Sequence, residues 1–466
     1  MVRTLFLAGF AGAAVLTLSA IARADKLDDF VNSQLPARHA PGVAVGIVRD
    51  GKLVTARGYG LANVENHVPV TPDTVFEIGS MTKQFTAALV LMQVEEGKIG
   101  LDDKIDKYLP DTPAAWREIT VRNLLTHTSG IKGYTEVAPS FLALAREPHT
   151  QQEIVKMVSG LPLAFAPGQK WAYSNTGYYL LGMILEKVAG KPYMELLGER
   201  ILKPLAMTNT RDGAPEAIIR NRASGYLWDG KLQNAPWLQP TAAFAAGCLV
   251  STVGDLAKWD AALATDRLLK PSSRDMMWTP VKLKGGGEFG YGFGWAIGSA
   301  GGHKLIEHGG GTAGFSTDIA RYPGEKITVI VLTNCQAGAA EQIARGVAAL
   351  QPELKPAPVK PAEDRDLALT AKHRALAESA ADAKMDPSLF TDAARKVIFP
   401  DHAAQAAQAL KALGKMKSFS LKSDEKQGQS RIRRYRAEYD GVTVLYTIIV
   451  SEDGKVAGMN IGQDAD

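Results

Sequence analysis

Ser80 and Lys83 stand three residues apart in FEIGSMTKQF (76–85), where an apolar run opens that reads as a helix over 80–96. Residues at this spacing share a helix face, so the hydroxyl and the amine can touch. A serine hydroxyl is a weak nucleophile until a neighbouring base accepts its proton. A lysine serves as that base only if its pKa is lowered, which burial and the positive end of a helix both do. The same helix end penalises cations, so the placement of Lys83 costs helix stability and suits activation of Ser80. The competing reading of Ser80 is a helix N-cap, a position that serine favours.

S-x-x-K alone recurs by chance, and two further stretches strengthen the reading. WAYSNTGYYLLG (171–182) sets Tyr173 and Asn175 just before a second periodic run. A phenol near a cation can ionise or relay a proton, and an amide can grip a substrate carbonyl; Asn175 also reads as a helix cap. EHGGGTAGF (307–315) sets His308 at the end of an apolar strand, followed by three glycines. Glycines there let a substrate lie along the strand edge and leave backbone N–H groups free for an oxyanion.

The elements that must carry these groups are legible in outline. Asp25 to Arg38 reads as an amphipathic helix stopped by Pro-Gly, and GVAVGIVRDGKLVTARGYG (42–60) as two strands with Asp50-Gly51 at the turn. The helix over 80–96 stops at Gly97, and YYLLGMILEKVAG (178–190) is periodic with Gly190 as its stop. Strands return near YGFGWAIG (291–298) and in the segment 303–334. Strands at both ends with helices between them predict an α/β sandwich. An antiparallel sheet is flanked by helices, with an added helical lobe.

A Pro- and charge-rich linker is expected over 353–363. Beyond it, 364–466 reads as a small α+β domain of helices followed by a four-stranded meander, with Asp453-Gly454 at the last turn. That element order is similar to the cystatin- and nuclear-transport-factor-like cones. RIRRYR (431–436) alternates basic with apolar or aromatic residues and reads as one solvated strand face, not as a nucleic-acid contact.

S-x-x-K, Y-x-N and H-G-G in this order resemble the serine β-lactamase and penicillin-binding family. The similarity is to the branch of class C β-lactamases, D,D-carboxypeptidases, D-aminopeptidases and related esterases. PDTVFEIGSMTKQFTAA, ITVRNLLTHTSGI, FAPGQKWAYSNTGYYLLG, PLAMTNT, AGCLVSTVGDLAKW and HGGGTAGFS also resemble family segments, in family order. The resemblance implies a β-lactamase/transpeptidase-like domain over 25–352. It implies Ser80 as the acylated nucleophile, Lys83 as its proton acceptor and Tyr173 as the group returning a proton to the leaving group. Which of Lys83 and Tyr173 is the main base stays open at this point, because the two titrate as a pair.

By the same resemblance Asn175, His308 and Gly310 contact substrate, and the backbone N–H groups of Ser80 and Gly311 form the oxyanion hole. His308 departs from the lysine usual in class C β-lactamases and matches several peptidases, aminopeptidases and esterases. An unperturbed imidazole is mostly neutral at neutral pH, which moves the expectation from β-lactam hydrolysis toward peptidase or esterase action. His127, in LLTHTSG, falls in a family segment without a catalytic role and reads as structural. His39, His67 and His402 read as surface or core residues.

The implied activity is an acyl-serine hydrolase of amide or ester bonds. Its substrates would be small molecules or peptides: a cell-wall peptide, an ester or a β-lactam. A binding protein that has kept the fold without turnover is the alternative. No G-x-S-x-G, H-E-x-x-H, Walker or dinucleotide motif occurs, and no cofactor or metal is implied.

The chain has 466 residues, 46% hydrophobic and 22% charged, with a formal net charge of +4, the composition of an ordinary globular protein. Arg3, an apolar core and ARA ending at Ala24 read as a cleaved signal peptide over 1–24, which implies a periplasmic or secreted protein without stable membrane insertion. Cys248 and Cys335 are the only cysteines, and the sequence leaves open whether they pair.

Overall fold

The computed structural model describes residues 26–138, 140–355, 362–411, 413–427, 430–439 and 443–463. The expected signal peptide and most of the expected linker lie outside the described residues. The chain divides into two compact units, one ending at Lys355 and one following it.

In the first unit, strands β1 (Gly42–Arg49), β2 (Lys52–Asn63), β3 (Val68–Pro69), β4 (Ala296–Ala300), β5 (His303–Thr312), β6 (Phe315–Tyr322) and β7 (Ile327–Thr333) form one sheet. Its order is β4-β5-β6-β7-β1-β2-β3, antiparallel throughout. β1 pairs with β7 across nearly the whole unit, with Val45 opposite Val331 and Ile47 opposite Val329. At the β1–β2 turn Asp50 and Gly51 both take positive φ, 48° and 72°. That is the hairpin geometry their residue types favour.

β1 and β7 are apolar runs rather than alternations because both of their faces are covered. Val43, Val45 and Ile47 face helices α1 (26–37) and α5 (Ala340–Ala349), through Leu27, Val31, Ile343 and Val347. Ala44, Val48, Ile330 and Leu332 face the larger core, which holds α2 (Thr82–Glu95), α3 (Asn175–Ala189) and α4 (Val253–Leu263). Every residue of α2 from Thr82 to Gln93 is buried. Each large apolar side chain there contributes about 1.5–3 kcal/mol, so α2 is the fixed post on which the site is built. Cys248 belongs to this core and Cys335 to the other; both are free thiols.

The second unit packs α6 (Leu367–Ala381), α7 (Asp392–Ile398) and α8 (Asp401–Lys411) with a meander of β8 (Ser418–Gln427), β9 (Ser430–Glu438), β10 (Thr443–Val450) and β11 (Val456–Gln463). Its core includes Leu376, Phe390, Tyr435, Tyr446 and Ile448.

RIRRYR is not a solvated face. Arg433 is fully buried and pairs with Asp364 at 2.6 Å and Asp424 at 3.1 Å, and Arg431 bridges Asp424 at 2.6 Å and Asp366 at 3.1 Å. The alternation holds, but Arg433 and Tyr435 face inward, while Arg431 stays at the rim with its side chain 40% exposed. Acids distant in sequence neutralise the cations that burial would otherwise penalise.

Candidate active site

Ser80 lies in a 3-10 turn, Gly79–Met81, that leads directly into α2. Gly79 takes φ +48°, and a Cβ there would lie 2.9 Å from both the nitrogen and the oxygen of Gly311. Only glycine lets the turn approach β5 so closely. A short sheet of Phe76–Glu77, Leu249–Ser251 and Arg211–Asp212 holds the approach to this turn. The N-cap of α2 is Met81, with no side-chain cap bond, so Ser80 is not spent on capping.

Lys83, in the first turn of α2, lies 2.9 Å from Ser80 Oγ and donates to Asn175 Oδ1 at 2.8 Å and to the carbonyl of Ala246 at 2.8 Å. The amine is fully buried and no carboxylate is among these partners, so burial drives its pKa well below the usual lysine range. A neutral amine carries two N–H bonds and one lone pair. With the N–H bonds aimed at Asn175 and Ala246, the lone pair points at the Ser80 hydroxyl.

Asn175 opens α3, but Ser174 is the N-cap. The Asn175 side chain instead bridges Lys83 and, through Nδ2, the Thr135 hydroxyl at 3.2 Å. The phenol of Tyr173 stands beside Ser80, its ring centroid lies 4.8 Å from Lys83 Nζ, and burial raises its pKa. Ser80, Lys83, Tyr173 and Asn175 therefore converge from two helix starts.

His308 sits on β5 behind this group. Its Nδ1 lies 2.7 Å from the Gly309 carbonyl, which can only accept, so Nδ1 carries the proton. Nε2 then accepts from the Tyr291 hydroxyl at 2.8 Å. Burial, with the nearby Lys83 amine, lowers the imidazole pKa to about 4. His308 thus presents no charge to substrate. Tyr291 carries no mark in the sequence; its role depends on the fold bringing it beside β5.

β4 pairs only with residues 303–307 of β5. Gly309 to Thr312 have β6 on one side and the Ser80 turn near the other. Gly310 is packed rather than open: a Cβ there would lie 2.0 Å from the Ile78 carbonyl oxygen and 2.5 Å from Thr317 Oγ1. At Gly311 a Cβ would meet nothing within 4 Å. A cavity of about 230 Å³ opens beside Ser80, lined by Asn175, Gly311 and Thr312 and by the apolar Tyr134, Phe141 and Leu238. Lys83, Tyr173, His308 and Gly310 are not among its lining residues; Lys83 and His308 are buried, and Tyr173 and Gly310 are partly exposed.

Glu77 also lines the cavity. Burial holds its carboxyl above the usual range against the pull of Arg222, 3.6 Å away. Glu77, Thr135 and the Ala246 carbonyl escaped the sequence reading, because side chains of these types are common and the Ala246 contribution is backbone. Among the described residues no three His, Cys, Asp or Glu side chains gather to hold a metal ion.

The Beta-lactamase family model matches residues 25–352, and the chain belongs to that family. It is 31% identical over 320 residues to a penicillin-binding protein of Bacillus subtilis (strain 168), an alignment covering 64% of this chain and 69% of that one. It is 30% identical over 325 residues to the mitochondrial serine beta-lactamase-like protein LACTB of Homo sapiens, covering 52% of this chain and 59% of the relative. Among solved structures, the octameric penicillin-binding protein homologue of Pyrococcus abyssi matches with TM-score 0.65 and 28% identity, over 92% of this chain and 90% of that one. D-amino acid amidase from Ochrobactrum anthropi SV3 matches with TM-score 0.63 and 27% identity, over 70% of this chain and 98% of that one.

Proposed function

We propose that this chain is an exported serine hydrolase that forms an acyl-enzyme at Ser80 and hydrolyses amide or ester bonds, with D-amino-acid amides and peptides as the leading substrate class. The observation that carries the proposal is the amine of Lys83: fully buried, 2.9 Å from Ser80 Oγ and bound otherwise to neutral acceptors. Lys83 takes the Ser80 proton as Oγ attacks the carbonyl carbon. Burial favours the neutral form of both groups, an amine at Lys83 and a phenol at Tyr173, which supports Lys83 as the base and Tyr173 as the donor to the departing amine or alcohol. The backbone N–H groups of Ser80 and Gly311 receive the oxyanion. Lys83 passes its proton to Tyr173, and water, losing a proton to the restored Lys83 amine, attacks the acyl-enzyme; the acid leaves as that proton passes to Ser80 Oγ. Asn175 contacts the acyl group from the cavity wall.

The D-amino acid amidase likeness supports the substrate class, and the uncharged His308 favours it over substrates that need a fixed cation. Segment 1–24, read as a signal peptide, supports a periplasmic or secreted location; no helix of the described residues is long and apolar enough to cross a membrane.

The test is a panel of D-aminoacyl amides, D-Ala-D-Ala peptides, p-nitrophenyl esters and a penicillin, read by mass spectrometry for product and adduct. Turnover of at least one amide or ester, reduced about a thousandfold or more in Ser80→Ala, is expected. Equal turnover by the variant overturns the proposal, and adduct without product identifies a binding protein.

The pH profile gives a separate check. Below its lowered pKa Lys83 is charged and cannot accept a proton, so the rate falls on the acid side. His308 charges only near pH 4, so His308→Asn is expected to leave the midpoint of that limb in place. A midpoint displaced by about one unit or more would assign the limb to the histidine instead.

A further inference from the structure

His127 does not touch the cavity, yet it holds the Tyr173 segment from both sides. Its backbone carbonyl accepts from the N–H of Ala172 at 3.0 Å, and its ring Nδ1 accepts from the N–H of Ser174 at 3.2 Å. Between those two anchors lies Tyr173, whose ring centroid is 4.4 Å from the imidazole. Tyr291 and Tyr178 close on the same imidazole at 4.7 Å and 5.2 Å, with Trp171 edge-on at 5.9 Å. The residue is buried and takes φ +57°, a region that histidine enters more readily than most side chains.

Accepting at Nδ1 puts the ring proton on Nε2, which finds no acceptor among the described residues. The tautomer is therefore set by one bond, the bond to Ser174. The titratable groups that face the ring are Tyr173 and Tyr178 around α3, Tyr291, His308 on β5 and Lys83 on α2. Burial first, with the Lys83 amine and the His308 imidazole nearby, holds the imidazole pKa well below its usual range and keeps the ring neutral.

We propose that His127 is a positioning residue, whose Nδ1 acceptor fixes the backbone on which Tyr173 reaches Ser80. The proposal rests on the role given to Tyr173 above. It goes beyond a packing role, because what is required is the acceptor and not the ring.

Two variants separate these requirements. His127→Asn offers an amide oxygen near the place of Nδ1 and tolerates positive φ. His127→Phe keeps a ring and leaves the Ser174 N–H buried without an acceptor. Rates are normalised to active sites titrated with a fluorophosphonate. His127→Phe is expected to lose about a hundredfold in kcat with KM within about twofold, the range of a misplaced general acid or base. Its alkaline limb should also move to lower pH, as the freed phenol gains solvent. His127→Asn is expected to restore kcat to within about fivefold and to keep the limb. Equal losses in both variants, or a His127→Phe profile with an unmoved limb, overturn the proposal.

If neither variant folds, imidazole ¹⁵N spectra of the wild-type enzyme decide. An Nε2–H tautomer unchanged across neutral pH supports the clamp, and an Nδ1–H tautomer or an imidazolium refutes it. A wild type inactive on every substrate defeats the hydrolase reading instead, and the spectra still decide the clamp.

Discussion

Lys83→Met is expected to reduce kcat/KM by about a thousandfold or more while leaving thermal stability equal to or above wild type. General-base assistance contributes about 10²- to 10⁴-fold, and methionine fills the buried volume without offering a lone pair to Ser80. The amine's partners are Ser80, Asn175 and the Ala246 carbonyl. No acid offsets the cost of burying it, so the amine costs folding free energy at this position. Asn175 and Ala246 lose a donor in the variant, a cost of about 1–3 kcal/mol that relief of the buried amine offsets. Single-turnover acylation and a melting curve on the same preparation check both halves. A variant that loses stability and activity together would show Lys83 to be structural.

Gly310→Ala is expected to be the most damaging single methyl group in the site, and Gly311→Ala, one residue on, to fold as wild type. The added carbon at 310 would sit 2.0 Å from the Ile78 carbonyl oxygen and 2.5 Å from Thr317 Oγ1. Ile78 immediately precedes the Ser80 turn, and its carbonyl also accepts from Thr317 Oγ1 at 3.2 Å. Neither neighbour is the loose end of a flexible chain, so β5 and the turn must separate. We expect a stability loss of about 3 kcal/mol, at the upper end for overpacking, and a loss of kcat of about a hundredfold or more as an oxyanion donor drifts. At 311 the new methyl meets no protein atom within 4 Å, so its effect falls on substrate fit and KM. Denaturation midpoints and steady-state constants for the pair distinguish packing from substrate contact; equal stability in both variants would contradict the geometry.

The contrast between these glycines also marks where the sequence stopped being informative. Three glycines after His308 read as a strand edge open to substrate, yet Gly310 is closed by Ile78 and Gly311 is open, a difference made by residues distant in sequence. Ser80, Lys83, Tyr173 and Asn175 were legible because each lies in a short motif at the start of a helix, where spacing fixes geometry. The Asp50-Gly51 turn and the stop at Gly190, φ +68°, were legible because backbone conformation there depends on the residue itself.

Tyr291, Glu77 and the inward face of RIRRYR were not legible. Their meaning comes from partners far along the chain: His308, Arg222, and the acids at 364, 366 and 424. His127 reads as structural in LLTHTSG, and nothing there says that its ring receives the Ser174 N–H.

The central claim, that the Ser80 hydroxyl attacks carbonyl groups, is tested most directly by peptide mass spectrometry after exposure to a fluorophosphonate. The account predicts one covalent adduct, confined to the tryptic peptide spanning 58–83 that contains Ser80, and none in Ser80→Ala. An unlabelled Ser80 in a preparation that turns over an ester, or an adduct that persists in Ser80→Ala, would contradict it.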